Sequence, residues 1–368
     1  MNQYDIVVVG LGAVGSSALY QFSGTGKKVL GIDRFEPPHA MGSSHGETRI
    51  TRVAVGEGSE YIGLAMRSHE IWRELESITG EQIYFPVGGI LMDSGVQPWG
   101  KHGADGFFDR TICYADEFGI RHELLDSANF KKRFVNFDLP ASGKAYFEFE
   151  AGFLKPELAI ETLLNLAKKN GADILTNFPV LDLQKVSGGG VKLVLEGKEI
   201  IAEKVLLSAG GWITDFLPEK EKIEFKLCRQ VLHWIETESD DWKDYPVFMW
   251  GFGPDPEDFI YGFPSLDGKT IKIATESFVE TSHPADLNRE VGLEEQTRFW
   301  EDKVKGRITG LKPKILKSTV CFYTVTEDAK FVIRPLSGLD EVLMVSACSG
   351  HGFKHSAALG ELLKNLMV

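Results

Sequence analysis

The sequence predicts a mixed α/β protein with two lobes, one a Rossmann-like nucleotide-binding lobe and the other rich in strands. Three observations carry this. Near the start, YDIVVVGLGAVGSSALYQFSGTGKKVLGID reads as a strand, a glycine turn, an amphipathic helix and a second strand. Further on, VLMVSACSGHGFKHSAALGELLKNL again reads as strand, glycine turn and helix, so the chain returns to the lobe in which it starts. Between them the stretch from about Glu224 to Gly268, with HWIE, FMWGFG and FIYGFP, is aromatic and suits a sheet covering an apolar pocket, or else simple core packing. At 368 residues the chain exceeds what one core normally supports, and two lobes could enclose a sizeable cofactor.

The first unit has glycines at Gly10, Gly12 and Gly15 and an acid, Asp33, at the end of its second strand. Each has a separate reason. Gly10 permits the tight turn, Gly12 lets the backbone approach a pyrophosphate, and Gly15 lets the helix lie close to the strand. The helix start at Ala13 and Val14 offers free N–H groups to phosphates. Asp33 can accept hydrogen bonds from an adenosine ribose and repels a 2′-phosphate, although the adjacent Arg34 weakens that second argument. Next comes SSHGETRITR, Ser43 to Arg52, in which Arg49 and Arg52 are three apart and would share one side of a helical turn. A guanidinium there suits a carboxylate or phosphate, and the alternative is a solvated basic turn.

A helical pattern covers about Tyr61 to Ile78, followed by the strand GGILMDS, after which glycines and loop residues break up the chain through His102. PELAIETLLNLAKKNGA reads as a helix with Pro156 in its first turn and Gly171 at its end. ADILTNFPVLDLQKV, GGGVKLVLEG and EIIAEKVLLSAGG read as strands, the last running into a small-residue turn where Ala209 and Gly210 allow close backbone approach to a cofactor. LNREVGLEEQTRFWEDKVKGRI reads as a helix. In GHGFKH a cation, Lys354, stands near a helix N-terminus against the helix dipole, so it is either solvated or faces an anion. No internal repeat, low-complexity tract or long polar linker is present, and the lobes should be interleaved.

Composition narrows the function. With 43% hydrophobic and 25% charged residues the chain has the make-up of a soluble globular protein, and no segment approaches the roughly 20 apolar residues of a membrane span. MNQYDIVVVG enters a strand without a secretory signal, so a cytoplasmic location is expected. A formal net charge of −13 opposes nonspecific attraction to nucleic acid or acidic membranes. Cys113, Cys228, Cys321 and Cys348 are dispersed and include no CxxC, which suggests neither a zinc site nor a disulfide framework.

GLGAVGSSA with Asp33, SSHGETRITR, YGFPS, CFYT and SGHGFKHSAALGE occur in the order and spacing of the monomeric sarcosine oxidase and N-methyltryptophan oxidase family, and the chain resembles that family over nearly its whole length. The resemblance implies FAD, a nucleotide lobe of glutathione-reductase type, and a substrate lobe with an antiparallel sheet. The lobes would be 1–85, 150–220 and 322–368 for FAD, and 86–149 and 221–321 for substrate. It also implies oxidation of a secondary amine in an N-methyl or cyclic amino acid, by hydride transfer to flavin N5. The imine is hydrolysed, and dioxygen is the final acceptor, giving peroxide. The partners would be a small amino acid and oxygen, and the protein a monomer.

Residue by residue, the resemblance places the substrate carboxylate between Arg52 and Lys354, with Arg49 and His45 beside the flavin ring and Tyr261 of YGFP in the active site. Lys272 matches the family lysine that promotes reaction with oxygen. Lys269 lies close enough for a slipped alignment, but alternation along a strand would put the two on opposite faces. Cys321 matches the cysteine that carries FAD through the flavin 8-methyl carbon, the alternative being an unmodified buried cysteine. Ser43, Ser44, Thr48 and Val180 are further implied cofactor contacts, as are Ala209, Gly210 and Trp212 and, in the terminal turn, Gly350, His351, Gly352 and Lys354. Three departures stand out: Glu276 where a histidine is usual, Arg334 where an acid is frequent, and His355 in place of an aromatic residue. They leave the FAD and carboxylate elements intact and put sarcosine itself in question. The competing readings are a flavin-dependent amino acid dehydrogenase of the same fold and a noncatalytic FAD-binding redox protein.

Overall fold

The computed structural model describes residues 2–95, 105–255 and 257–368. Five strands run parallel, in the spatial order Asp173–Leu175, Val29–Ile32, Asn2–Val9, Lys198–Leu207 and Leu339–Ser346. The central one is covered on both faces, which is why it reads as a continuous apolar run, with Val7 and Val8 wholly buried. On one face lie the helices Ala13–Ser23, Pro156–Lys169 and Ser356–Met367. The other face packs against an antiparallel meander of Val180–Lys185, Val191–Leu195 and the first half of Lys198–Leu207. ADILTNFPVLDLQKV is therefore two strands, broken where Asn177 adopts a left-handed φ of 62° before Pro179.

Among the described residues the second sheet has nine strands. Its centre, Lys226–Thr237, is flanked by Thr270–Thr275 and by the 15-residue strand Leu311–Val325, both antiparallel to it. The sheet then continues through Phe259–Gly262, Val247–Gly251, Gly89–Asp93, Lys144–Glu148 and His122–Asp126. It is not wholly antiparallel, because Gly89–Asp93 runs parallel to Val247–Gly251. The chain between those two strands passes through the first sheet, so no hairpin fixes their relative direction.

Two local expectations are corrected. Arg49–Thr51 is a short strand, not a helical turn, because it pairs antiparallel with Gly152–Leu154 in a three-stranded sheet completed by Tyr84–Phe85. The helix expected over LNREVGLEEQTRFWEDKVKGRI begins only at Leu293, after Gly292, and passes into a wider turn over Trp300–Val304. Before it, the carbonyls of Asn288 and Glu290 accept hydrogen bonds from Arg229 at 2.8 and 2.9 Å, which holds that backbone outside a helix. The end of the loop reading, 96–102, lies outside the described residues. Among the described residues no helix is long and apolar enough to cross a membrane.

The tightest helix-to-strand approach is at Gly15, where a Cβ would sit 1.8 Å from the Gly10 carbonyl oxygen. Gly15→Ala should therefore push the first helix off the sheet and lower unfolding free energy by about 1–3 kcal/mol, read from the urea midpoint.

Candidate active site

The carboxyl ends of the parallel strands open into a long cleft, the usual position for a ligand in an open α/β sheet. Gly10 makes its turn with a φ of 88°, its missing Cβ leaving room for the Ser208 carbonyl. At Gly12 a Cβ would have only Ser44 Oγ near it, at 3.7 Å, so the backbone faces open space. The capping residue of the first helix, Gly12, supplies no side chain, the Ala13 N–H makes only a long bond of 3.4 Å to Ser44 Oγ, and Gly12, Ala13 and Val14 line the cleft. Asp33 lies further along, its Oδ2 accepting from the Leu11 N–H at 2.7 Å and its Oδ1 from the Phe35 N–H at 2.8 Å. Arg34 lines the same stretch but is committed elsewhere, 3.1 Å from Asp215 and stacked over Trp212. Ser43, Ser44, Val180, Ala209, Gly210 and Trp212 also line the cleft, as do Gly350 and Gly352. Gly15, Thr48, Cys321, His351 and Lys354 do not line it.

A second cavity adjoins the cleft at Arg49, Tyr323, Gly350 and Phe353, which line both. Here Arg52 and Lys354 come together on one carboxylate, that of Glu57. Arg52 donates to Glu57 Oε2 at 2.7 Å, and Lys354 Nζ lies 3.3 Å from Oε1 and donates to the His351 carbonyl at 2.9 Å. All three side chains are at most 6% exposed, so the charges are deeply withdrawn from water. Behind Arg52, buried Glu148 accepts from the N–H groups of Val53 and Ala54 at 2.6 and 3.1 Å, while Arg52 donates to the Ala54 carbonyl. Burial raises the Glu148 carboxyl, and the peptide donors and Arg52 oppose that rise.

Lys272 projects from Thr270–Thr275 into this cavity and donates to the carbonyls of Gly46 and Thr48 at 2.7 and 2.8 Å. Burial, aided by the Arg49 charge, lowers its pKa well below the usual lysine range. Lys269 is exposed in the preceding turn. Tyr261 and Tyr323 face each other with hydroxyls 3.3 Å apart, and burial raises the pKa of both. Cys321, paired across the sheet with Gln230, is buried and lines the cavity, its thiol pushed up by desolvation. His45 is buried beside these groups with no hydrogen-bond partner at Nε2, and burial with the Arg49 charge takes its pKa down to about 3. It lines neither space directly. His351 lines the second cavity, its Nε2 2.9 Å from the Ala329 carbonyl.

Of the three departures, only Glu276 lies in the cavity, buried near Tyr261 and Tyr323. Arg334, on the strand Val332–Leu336 at the edge of the first sheet, is tied to Glu221 and Glu224 at 3.1 and 3.0 Å. His355 is wholly buried behind the lining, against Tyr61 and Phe331. Sequence reasoning missed Glu57 and Tyr323, together with the apolar wall of Met249 and Phe259. For Glu57 the available signal was an acid enclosed by Gly56 and Gly58, five residues after Arg52.

The sequence profile of the FAD dependent oxidoreductase family matches residues 5–366. Monomeric sarcosine oxidase of Bacillus sp. (strain B-0618) is 34% identical over 374 residues, covering 99% of this chain and 92% of that one. N-methyl-L-tryptophan oxidase of Yersinia pestis (strain Pestoides F) is 31% identical over 369 residues, covering 98% and 93%. Among solved structures, NikD, an amino acid oxidase of nikkomycin biosynthesis, superposes in its open form with a TM-score of 0.84 at 18% identity, over 100% of this chain and 94% of that one. L-proline dehydrogenase from P. horikoshii gives 0.79 at 18%, with the same coverage. These two likenesses concern the fold alone. The cleft suits a dinucleotide: a helix start whose own capping residue, Gly12, has no side chain and faces open space where phosphates can sit, and an acid, Asp33, further along. The chain is thus an FAD-dependent oxidoreductase, a member of the family that includes monomeric sarcosine oxidase and N-methyl-L-tryptophan oxidase.

Proposed function

We propose that the protein is an oxidase of secondary amines carried by amino acids, either N-methylated or cyclic. The observation that carries this reading is the convergence of Arg52 and Lys354 on a single buried carboxylate in the cavity adjoining the cofactor cleft. The names of the two sequence relatives, a sarcosine oxidase and an N-methyl-L-tryptophan oxidase, support it. When bound, FAD supplies the two-electron acceptor for the C–N bond and passes the electrons to dioxygen, giving peroxide and an imine that water hydrolyses.

The remaining roles follow from the side chains. Arg52 and Lys354 hold the substrate carboxylate by charge-assisted hydrogen bonds, and Glu57 occupies their donors until substrate arrives. Tyr261 and Tyr323, held as neutral hydroxyls by burial, orient the amine end by hydrogen bonding and do not act as bases. Glu276 adds negative charge to that end of the cavity and shifts preference away from sarcosine toward substrates whose substituent tolerates an acid. Arg49, at the junction, contributes fixed positive charge where negative charge develops on the reduced cofactor. Lys272, a lysine that gives up a proton readily, is the group that meets oxygen. Cys321 is the point of covalent attachment.

Incubation with sarcosine, N-methyltryptophan, pipecolate, proline and glycated amino acids in a peroxide-coupled assay tests the function. At least one should consume oxygen with stoichiometric peroxide. Reduction of the flavin without oxygen consumption would make the protein a dehydrogenase, and no reduction by any of them would remove the amine reading.

Arg52→Gln or Lys354→Met should weaken binding of a carboxylate-bearing substrate by about 1.5–3 kcal/mol, roughly one to two decades in Kd, while FAD content is unchanged. Glu57→Gln should have the opposite effect on substrate. It should also lower the melting temperature of the ligand-free protein, because two buried cations lose their shared anion, and a saturating carboxylate ligand should recover the loss. For the attachment, acid-precipitated protein should stay yellow and become colourless on Cys321→Ala; a colourless wild-type pellet with free FAD in the supernatant rejects it.

A further inference from the structure

Lys272 is approached from two sides. One is the amino acid cavity. The other is a separate depression that starts at the protein surface, where Leu266 and Leu316 are 50% and 49% exposed, and ends on buried Lys272, Thr48 and Phe263. Its inner walls are aromatic: Lys272 Nζ lies 3.9 Å from the ring centroid of Phe263 and 5.8 Å from that of Trp234.

One turn of the chain builds both the end and the mouth of this depression. The carbonyls of Gly46 and Thr48 point inward and fix Lys272, while the side chain of Glu47, between them, points outward. There Glu47 accepts from Trp234 Nε1 at 2.9 Å and pairs with Lys317 at 2.6 Å, and the Lys317 ammonium lies 4.3 Å over the same indole. Glu47 does this with a left-handed φ of 72°, a conformation unfavourable for a residue other than glycine and one that persists only where the surroundings impose it. The Glu47–Lys317 pair is itself half-exposed, 44% and 51%, so it is weak and opens readily.

We propose that this depression is the path by which dioxygen reaches Lys272, separate from the route of the amino acid, with the Glu47–Trp234–Lys317 contact as its door. A small apolar gas is at home between aromatic and aliphatic walls, whereas a zwitterionic amino acid would lose its hydration there and meet only cations already engaged, Lys272 by the Gly46 and Thr48 carbonyls and Lys317 by Glu47. The separation lets oxygen reach its reaction point while the amino acid cavity is still filled. The inference rests on the reading of Lys272 as the oxygen-reactive group.

The test uses the holoenzyme and two variants at the outer wall, Leu316→Trp and Leu266→Trp, where a larger ring can fill the mouth without entering the core. Crystals under xenon should show the gas between Trp234, Phe263 and Leu316 in the wild type and lose it in the variants, since xenon reports apolar cavity space independently of turnover. In stopped flow, reoxidation of the reduced enzyme should slow by about threefold or more in at least one variant, while anaerobic reduction by amino acid stays within about twofold. No xenon in the wild-type depression, or reoxidation slowed less than about threefold in both variants, overturns the path. Lys272→Met separates this from the parent reading. If it slows reoxidation by about tenfold or more while the wall variants do not, only the path fails; if it leaves reoxidation unchanged, the oxygen role of Lys272 fails first.

Discussion

The buried group Arg52, Glu57 and Lys354 is the constraint on which the site depends. Two cations and one anion sit almost without solvent, an arrangement that is stable only while each charge keeps its partners. Arg52 and Glu57 come from the chain that leaves the small three-stranded sheet, and Lys354 from the turn before the last helix. Glu57 therefore ties distant parts of the sequence together in the wall of the second cavity. It also explains how a lysine can stand at the start of a helix against the dipole: the anion that compensates it comes from elsewhere in the chain. On the proposed reading, the same grouping keeps the cavity prepared for a substrate carboxylate, because exchanging one carboxylate for another changes little in the surrounding field.

A second constraint lies on the other side of the cavity. The 46–48 backbone clamps Lys272 between two carbonyls, so a strand of the second sheet is fastened to the loop that follows the nucleotide unit. Arg49, one residue further, lowers the affinity of that lysine for its proton and lines both cavities at once. The groups that would meet cofactor, substrate and oxygen are thus set by one short segment, and a change in any of its residues acts on more than one of them.

Much of the architecture was legible in the sequence because it follows from hard sterics. Gly10 and Gly15 stand where a Cβ would collide with backbone, and the apolar run of the central strand is what burial on both faces requires. The placement of Arg52 and Lys354 in one cavity was also legible, through motifs that occur together. What was not legible depended on tertiary partners. RITR has helical spacing between its arginines, but pairing with Gly152–Leu154 drew it into a strand. The direction of Gly89–Asp93 relative to Val247–Gly251 depends on a long excursion of the chain that no local pattern reports. Glu57 drew no reading from the sequence because Lys354, which joins Arg52 on its carboxylate, lies 297 residues away along the chain.

The parallel sheet has a temporal consequence. Four of its five strands come from the first 207 residues, but the fifth, Leu339–Ser346, and the turn that supplies Gly350 and Gly352 to the cleft come from the last thirty. The helix Ser356–Met367 then packs against the first helix, at a point where a Cβ on Gly360 would lie 2.6 Å from Ser17. During synthesis the nucleotide unit emerges first and waits, one strand and one covering helix short, until residues 339–367 have followed. Such long-range closure makes assembly slow relative to local folding. The cleft is consequently completed only after the strands of the second sheet, the last of which ends at Val325, have been made.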